Sequence, residues 1–89
     1  MSVEERVNTR LVSAAFGRVL KELRTSRTLS QEKLAERAGI DATYVSLLER
    51  GLRAPGLPVV IAIGPALDVE PAALVTRTVE ILCSEGTRR

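Results

Sequence analysis

The sequence predicts an all-α domain of five helices, and three observations predict it. Apolar residues recur at spacings of three and four over successive stretches, the period of a helix face rather than of a strand. Ser30 and Asp41 stand just before two of these stretches, where a side-chain oxygen can accept from the free N–H groups of a first turn. Gly39 and Gly51 stand where two stretches end, and Pro58 and Pro71 stand where two begin.

The first helix is expected from Leu11 to Thr25, capped by Asn8 or Thr9. Its core stripe is Phe16, Val19, Leu20 and Leu23. Ser26–Leu29 is a short link, and Leu29 is placed to staple against the next helix near Leu34. Two short helices follow, at about 30–38 and 41–50. Leu34, Ala35 and Ala38 form the apolar set of one, and Val45 and Leu48 that of the other. Gly39 can adopt the positive φ that turns the chain between them. A fourth helix is expected from near Leu57, with Gly64-Pro65 inside it. Pro65 has no N–H for the Ile61 carbonyl and crowds it, so a kink or an early stop near Ile63 is expected. Pro71 starts a fifth helix running to about Cys83. The β-branched run Val75–Ile81 leaves a strand as the alternative there. Residues 1–10 read as an N-terminal arm or extra helical turn, 11–83 as the folded domain, and 84–89 as a frayed polar tail.

Two short helices joined by a glycine turn, with a small Ala35 at their crossing, meet the requirements of a helix-turn-helix spanning residues 30–50. In that motif the second helix enters a DNA major groove. On a helical wheel Val45 and Leu48 face inward. Ala42, Thr43, Ser46, Leu47 and Arg50 fall on the opposite side, so the first four are the candidate base-facing residues. Ala42 and the Thr43 methyl suit thymine methyl groups, and the Thr43 and Ser46 hydroxyls suit base edges or phosphates. None of the four is Arg, Asn or Gln, the side chains that make bidentate base contacts. Readout must then lean on DNA shape or on an arginine from outside the helix: Arg53, Arg6 or Arg10. Gln31, Tyr44, Arg50 and Arg53 are the candidate phosphate contacts. Tyr44 equally suits packing on the core with its hydroxyl at the surface. Glu49 lies off the DNA face and would repel phosphate, so an internal ion pair is expected, to Arg18 or Lys21.

Composition bounds the remaining classes. With 89 residues there is one domain, and a chain this short buries only roughly 60% of its unfolded surface. Dimerisation would add to a modest stability. The net charge of +2 is too small to indicate nucleic acid by itself, so the placement of the arginines carries that argument. Phe16 and Tyr44 are the only aromatics, which excludes a base-stacking platform for single strands. With no His, one Cys, no phosphate loop and no metal-ligand cluster, neither an enzyme nor a metal or cofactor is expected. No small-molecule ligand is expected either. Met1–Arg10 carries Glu4, Glu5, Arg6 and Arg10 and no apolar run, so no signal peptide is expected. No stretch is long and apolar enough for a bilayer. Cys83 has no partner for an internal disulfide, and a reduced, cytoplasmic home is the default.

The segments FGRVLKELR, LSQEKLAERAGIDATYVSLLERGLRAP and ALDVEPAAL resemble the lambda-repressor-like, Xre-type helix-turn-helix regulators over about residues 14–75. TYVSLLERGLRAP further resembles controller proteins of restriction-modification systems. The resemblance implies a five-helix lambda-repressor-like domain and a homodimer on a palindromic double-stranded operator. It implies dimerisation through the last helices, where Leu74, Val75, Val79 and Leu82 share one side. By position it gives Gln31 and Tyr44 to phosphate and Ala42, Thr43, Ser46 and Leu47 to bases. The chain departs from the family at Ala42, where controllers often carry a basic residue, and at Gly64-Pro65, where the fourth helix is usually unbroken. A phage or plasmid repressor, an antitoxin, and a protein-interaction module that uses this fold without DNA are the alternatives.

Overall fold

A computed structural model describes residues 8–86, with side chains through residue 84, and contains five helices: α1 (Thr9–Ser26), α2 (Gln31–Ala38), α3 (Ala42–Glu49), α4 (Leu57–Ala66) and α5 (Pro71–Gly86). There is no strand among the described residues, and the β-branched run 75–81 lies wholly within α5. Its β propensity gives way because Leu74, Thr78 and Leu82, four apart, are all buried.

The capping residues act as their chemistry dictates. Asn8 Oδ1 accepts from the N–H groups of Arg10 and Leu11, Ser30 Oγ from Lys33, and Asp41 Oδ1 from Thr43. The other ends are more uniform than the sequence suggests. In each of α1 to α4 a residue at positive φ closes the helix: Thr28 at 55°, Gly39 at 72°, Gly51 at 73° and Asp68 at 57°. In each, the next N–H reaches back to a carbonyl five residues earlier: Leu29 to Arg24, Ile40 to Ala35, Leu52 to Leu47 and Val69 to Gly64. This is the Schellman ending, repeated four times with two glycines, a threonine and an aspartate.

Helix α1 lies across the domain, packed on α5 and α3, while α2 packs on α3 and α4, and α4 on α5. The core between them is built from Phe16, Val19, Leu20 and Leu23 of α1 with Leu34, Val45, Leu48, Ile63, Leu67 and Leu74. Two close approaches depend on glycine. A Cβ on Gly17 would lie 2.5 Å from the Leu48 carbonyl oxygen and 2.7 Å from that of Glu49, so α1 touches the end of α3 backbone to backbone. A Cβ on Gly64 would lie 2.8 Å from both Cγ and N of Pro71. This contact sets the corner at which α4 and α5 turn through 107°.

Gly64-Pro65 does not stop the fourth helix near Ile63; α4 runs on to Ala66. The missing Pro65 N–H removes one helical bond only, and the Leu67 N–H donates back to the carbonyls of Ile63 and Gly64. At the other end α5 continues past Cys83 to Gly86, so its last turn includes residues expected in the tail.

Candidate nucleic-acid interface

Helix α3 is held from beneath by Val45 and Leu48, which are fully buried. Thr43 and Arg50 are exposed, and Ser46 and Leu47 are half-buried. Ala42 and Tyr44 are also half-buried, and both pack against the core. Of the candidate base-facing residues, Thr43 therefore projects furthest and Ala42 is drawn inward. Tyr44 takes the core-packed position that its ring allows.

Gln31 opens α2 beside the end of α3. The N–H groups of Gln31 and Glu32 belong to a first helical turn, which has no intrahelical acceptors and favours an anion. The Gln31 side chain is already engaged: its Nε2 donates to Glu49 Oε1 at 3.0 Å. Arg53 is exposed in the loop after α3, next to a Leu52 that is also exposed. Arg10 lies in the first turn of α1 rather than on a free arm. Arg6 falls outside the described residues.

Glu49 is indeed paired internally, but to Arg24 and not to Arg18 or Lys21. Arg24 Nε donates to Glu49 Oε2 at 2.5 Å and Arg24 Nη2 to Oε1 at 3.0 Å. Side-chain exposure is 12% for Arg24 and 3% for Glu49. The geometry follows from Gly17: Arg24 sits seven residues further on, two turns along the same face of α1, above the end of α3. The hydrogen bond to Glu49 raises the Arg24 pKa above its ordinary value against the opposing effect of burial, so the guanidinium stays charged. The spacing of Gly17, Leu20 and Arg24, three and four apart, puts them on one face of α1 but does not single out Glu49 as the partner.

The candidate dimer residues divide between two faces of α5. Leu74 is fully buried in the core and Leu82 is 8% exposed, whereas Val75 and Val79 are 48% and 47% exposed. Leu74 therefore belongs to the core of its own chain and cannot meet a partner. Val75 and Val79 border an apolar groove of about 350 Å³ whose other wall is Val12 and Phe16 of α1 and Pro55 of the loop between α3 and α4. Leu57 and Ile61 of α4 are exposed as well.

Among the described residues no group of His, Cys, Asp or Glu gathers as a metal site, and no single helix is long and apolar enough to cross a membrane.

Residues 20–74 match the helix-turn-helix family model HTH_3. The chain belongs to the helix-turn-helix family. Within it, this Xre-type protein is homologous to the controller proteins of restriction-modification systems. It is 37% identical over 71 residues to control protein C.BamHI of Bacillus amyloliquefaciens, covering 79% of this chain and 88% of that one. The crystal structure of the restriction-modification controller protein C.AhdI from Aeromonas hydrophila superposes with a TM-score of 0.68 at 45% identity, over 70% of this chain and 94% of that one. The fold is shared with controller C.Esp1396I, solved as a tetramer with its natural 35 base-pair operator, at a TM-score of 0.72 and 24% identity over 81% and 95% of the two chains.

Proposed function

We propose that this protein is a homodimeric transcription regulator of the restriction-modification controller type, binding a palindromic double-stranded DNA operator. One observation carries the reading. Helix α3 has one face fully buried through Val45 and Leu48, and the opposite side leaves Thr43 exposed and Ser46 and Leu47 half-exposed beside the exposed Arg50 and Arg53. A helix braced in this way can enter a major groove as a rigid body.

The division of labour follows from side-chain chemistry. Thr43, Ser46 and Leu47 face base edges, with Ala42 at the margin. The Gln31 end of α2, Arg50 and Arg53 meet phosphates, and Tyr44 contributes its hydroxyl from a ring seated on the core. Two copies join through the exposed part of α5 around Val75 and Val79, with Leu82 at its edge. A modest set of base contacts puts weight on DNA shape and on Arg53. The protein acts in the cytoplasm, where such an operator lies, and by its own concentration rather than by a small-molecule signal.

Selection from a random duplex library at moderate salt tests the reading. Enrichment of an inverted repeat with half-sites about one helical turn apart (~34 Å) is the expected result. A folded protein that enriches no motif would refute it and turn attention to protein partners.

A further inference from the structure

Glu49 accepts hydrogen bonds from three N–H groups: Arg24 Nε, Arg24 Nη2 and Gln31 Nε2. Arg24 also donates from Nη1 to the Leu29 carbonyl at 2.7 Å. One carboxylate thus ties the end of α1, the link that follows it, the first residue of α2 and the last residue of α3.

Stability alone does not require this cluster to be charged. Removing an ion pair from water is costly, and an apolar pair of similar volume commonly serves a fold as well. An apolar pair would not, however, offer a buried acceptor to Gln31. A free glutamine side chain rotates about several bonds, and the freedom lost when it is fixed on binding is worth about a factor of ten in affinity. Glu49 fixes it beforehand. One N–H of Nε2 points at Glu49, which leaves the other N–H available at the N-terminus of α2, beside the backbone N–H groups of Gln31 and Glu32. The Arg24 charge cancels that of Glu49, so a carboxylate can stand near the DNA backbone without repelling it.

We propose that Arg24 and Glu49 are positioning residues for DNA binding, acting through Gln31 to set its amide for a phosphate before the DNA arrives. The proposal rests on the reading of this face as a DNA interface with Gln31 at a phosphate. It assigns to two buried charges a role in affinity rather than in holding the fold.

A thermodynamic cycle on the selected duplex tests it. Arg24→Met and Glu49→Met are made together, so that no buried charge is left alone, and are combined with Gln31→Ala. The Arg24→Met/Glu49→Met protein should unfold cooperatively near the wild-type midpoint yet bind about tenfold more weakly. Gln31→Ala should bind about tenfold more weakly as well, and adding it to the double variant should weaken binding no further. The slope of log affinity against log salt should stay the same throughout, because no lysine or arginine at a phosphate is removed. If the double variant does not fold, Arg24→Leu/Glu49→Leu replaces it: no acceptor for the Gln31 amide remains and no buried charge is left alone, and the same coupling to Gln31→Ala is expected. Additive losses, or unchanged affinity in a folded double variant, would overturn the proposal while leaving the DNA-binding reading intact. A wild-type protein that binds no duplex would remove both.

Discussion

Gly17 is where α1 meets the end of α3, and replacing it with alanine tests that contact. The new Cβ would stand 2.5 Å from the Leu48 carbonyl oxygen. A comfortable carbon-to-carbonyl-oxygen separation is about 3.3 Å, so the two helices would have to part by roughly 0.8 Å. The atoms in the way are backbone, in a helix whose other side is seated on Val45 and Leu48, and no rotamer change relieves them. Overpacking costs about 1–3 kcal/mol, and where backbone must move the upper part of that range applies, about 2–3 kcal/mol. Alanine returns about 1 kcal/mol of helix propensity, which offsets only part of that. A net loss of about 1–2 kcal/mol corresponds to a fall of roughly 5–15 °C in Tm for a domain of this size. Thermal and urea denaturation at a fixed protein concentration measure it, since a dimer's stability depends on concentration. A Gly17→Ala protein as stable as wild type, or more stable, would mean that α1 and α3 do not touch in this way.

Further expectations follow from other contacts. Thr28 is β-branched at a φ of 55°, a region that glycine enters freely, so Thr28→Gly should stabilise the fold by about 0.5–1 kcal/mol; an unchanged or lower Tm would refute this. Thr43→Ala and Ser46→Ala should weaken binding to the selected operator by about 1 kcal/mol each while hardly altering binding to random duplex, as read by titrations in parallel. Val79→Glu places a charge on the exposed side of α5 and should shift sedimentation from dimer to monomer with the helical signal retained. Leu82 is too buried for a clean version of that test, and a Val79→Glu dimer would place the seam elsewhere.

What was legible in the sequence depended on how locally it was written. Gly39 and Gly51 announced their turns because glycine adopts positive φ without strain. Thr28 makes the same turn unannounced, where the Leu29 N–H reaches back to Arg24, and at Asp68 a turn was legible in the sequence but not its positive φ. The apolar period located every helix, yet along α5 it could not tell the two apolar sides apart. Leu74 and Leu82 proved inward and Val75 and Val79 outward, since a period gives a face and not the neighbour it meets. Gly17 passed unnoticed because the group that forbids its side chain is a carbonyl far along the chain. Glu49 was recognised as internally paired, but choosing Arg24 over Arg18 required knowing how α1 crosses α3. On the reading helix, the wheel separated Val45 and Leu48 from the rest. The inward lean of Ala42 and Tyr44 came only with the neighbouring helices in place.

The corner between α4 and α5 rests on one glycine lying against one proline ring. On the proposed dimer through α5, that corner and the packing of α1 on both α5 and α3 would together set how far each α3 stands from its twin, whereas the side chains of α3 would meet the bases. Spelling and spacing are thus entrusted to different parts of the molecule. On that reading, a change at Thr43 or Ser46 would alter the letters of an operator without touching the gap between its half-sites, which the backbone sets.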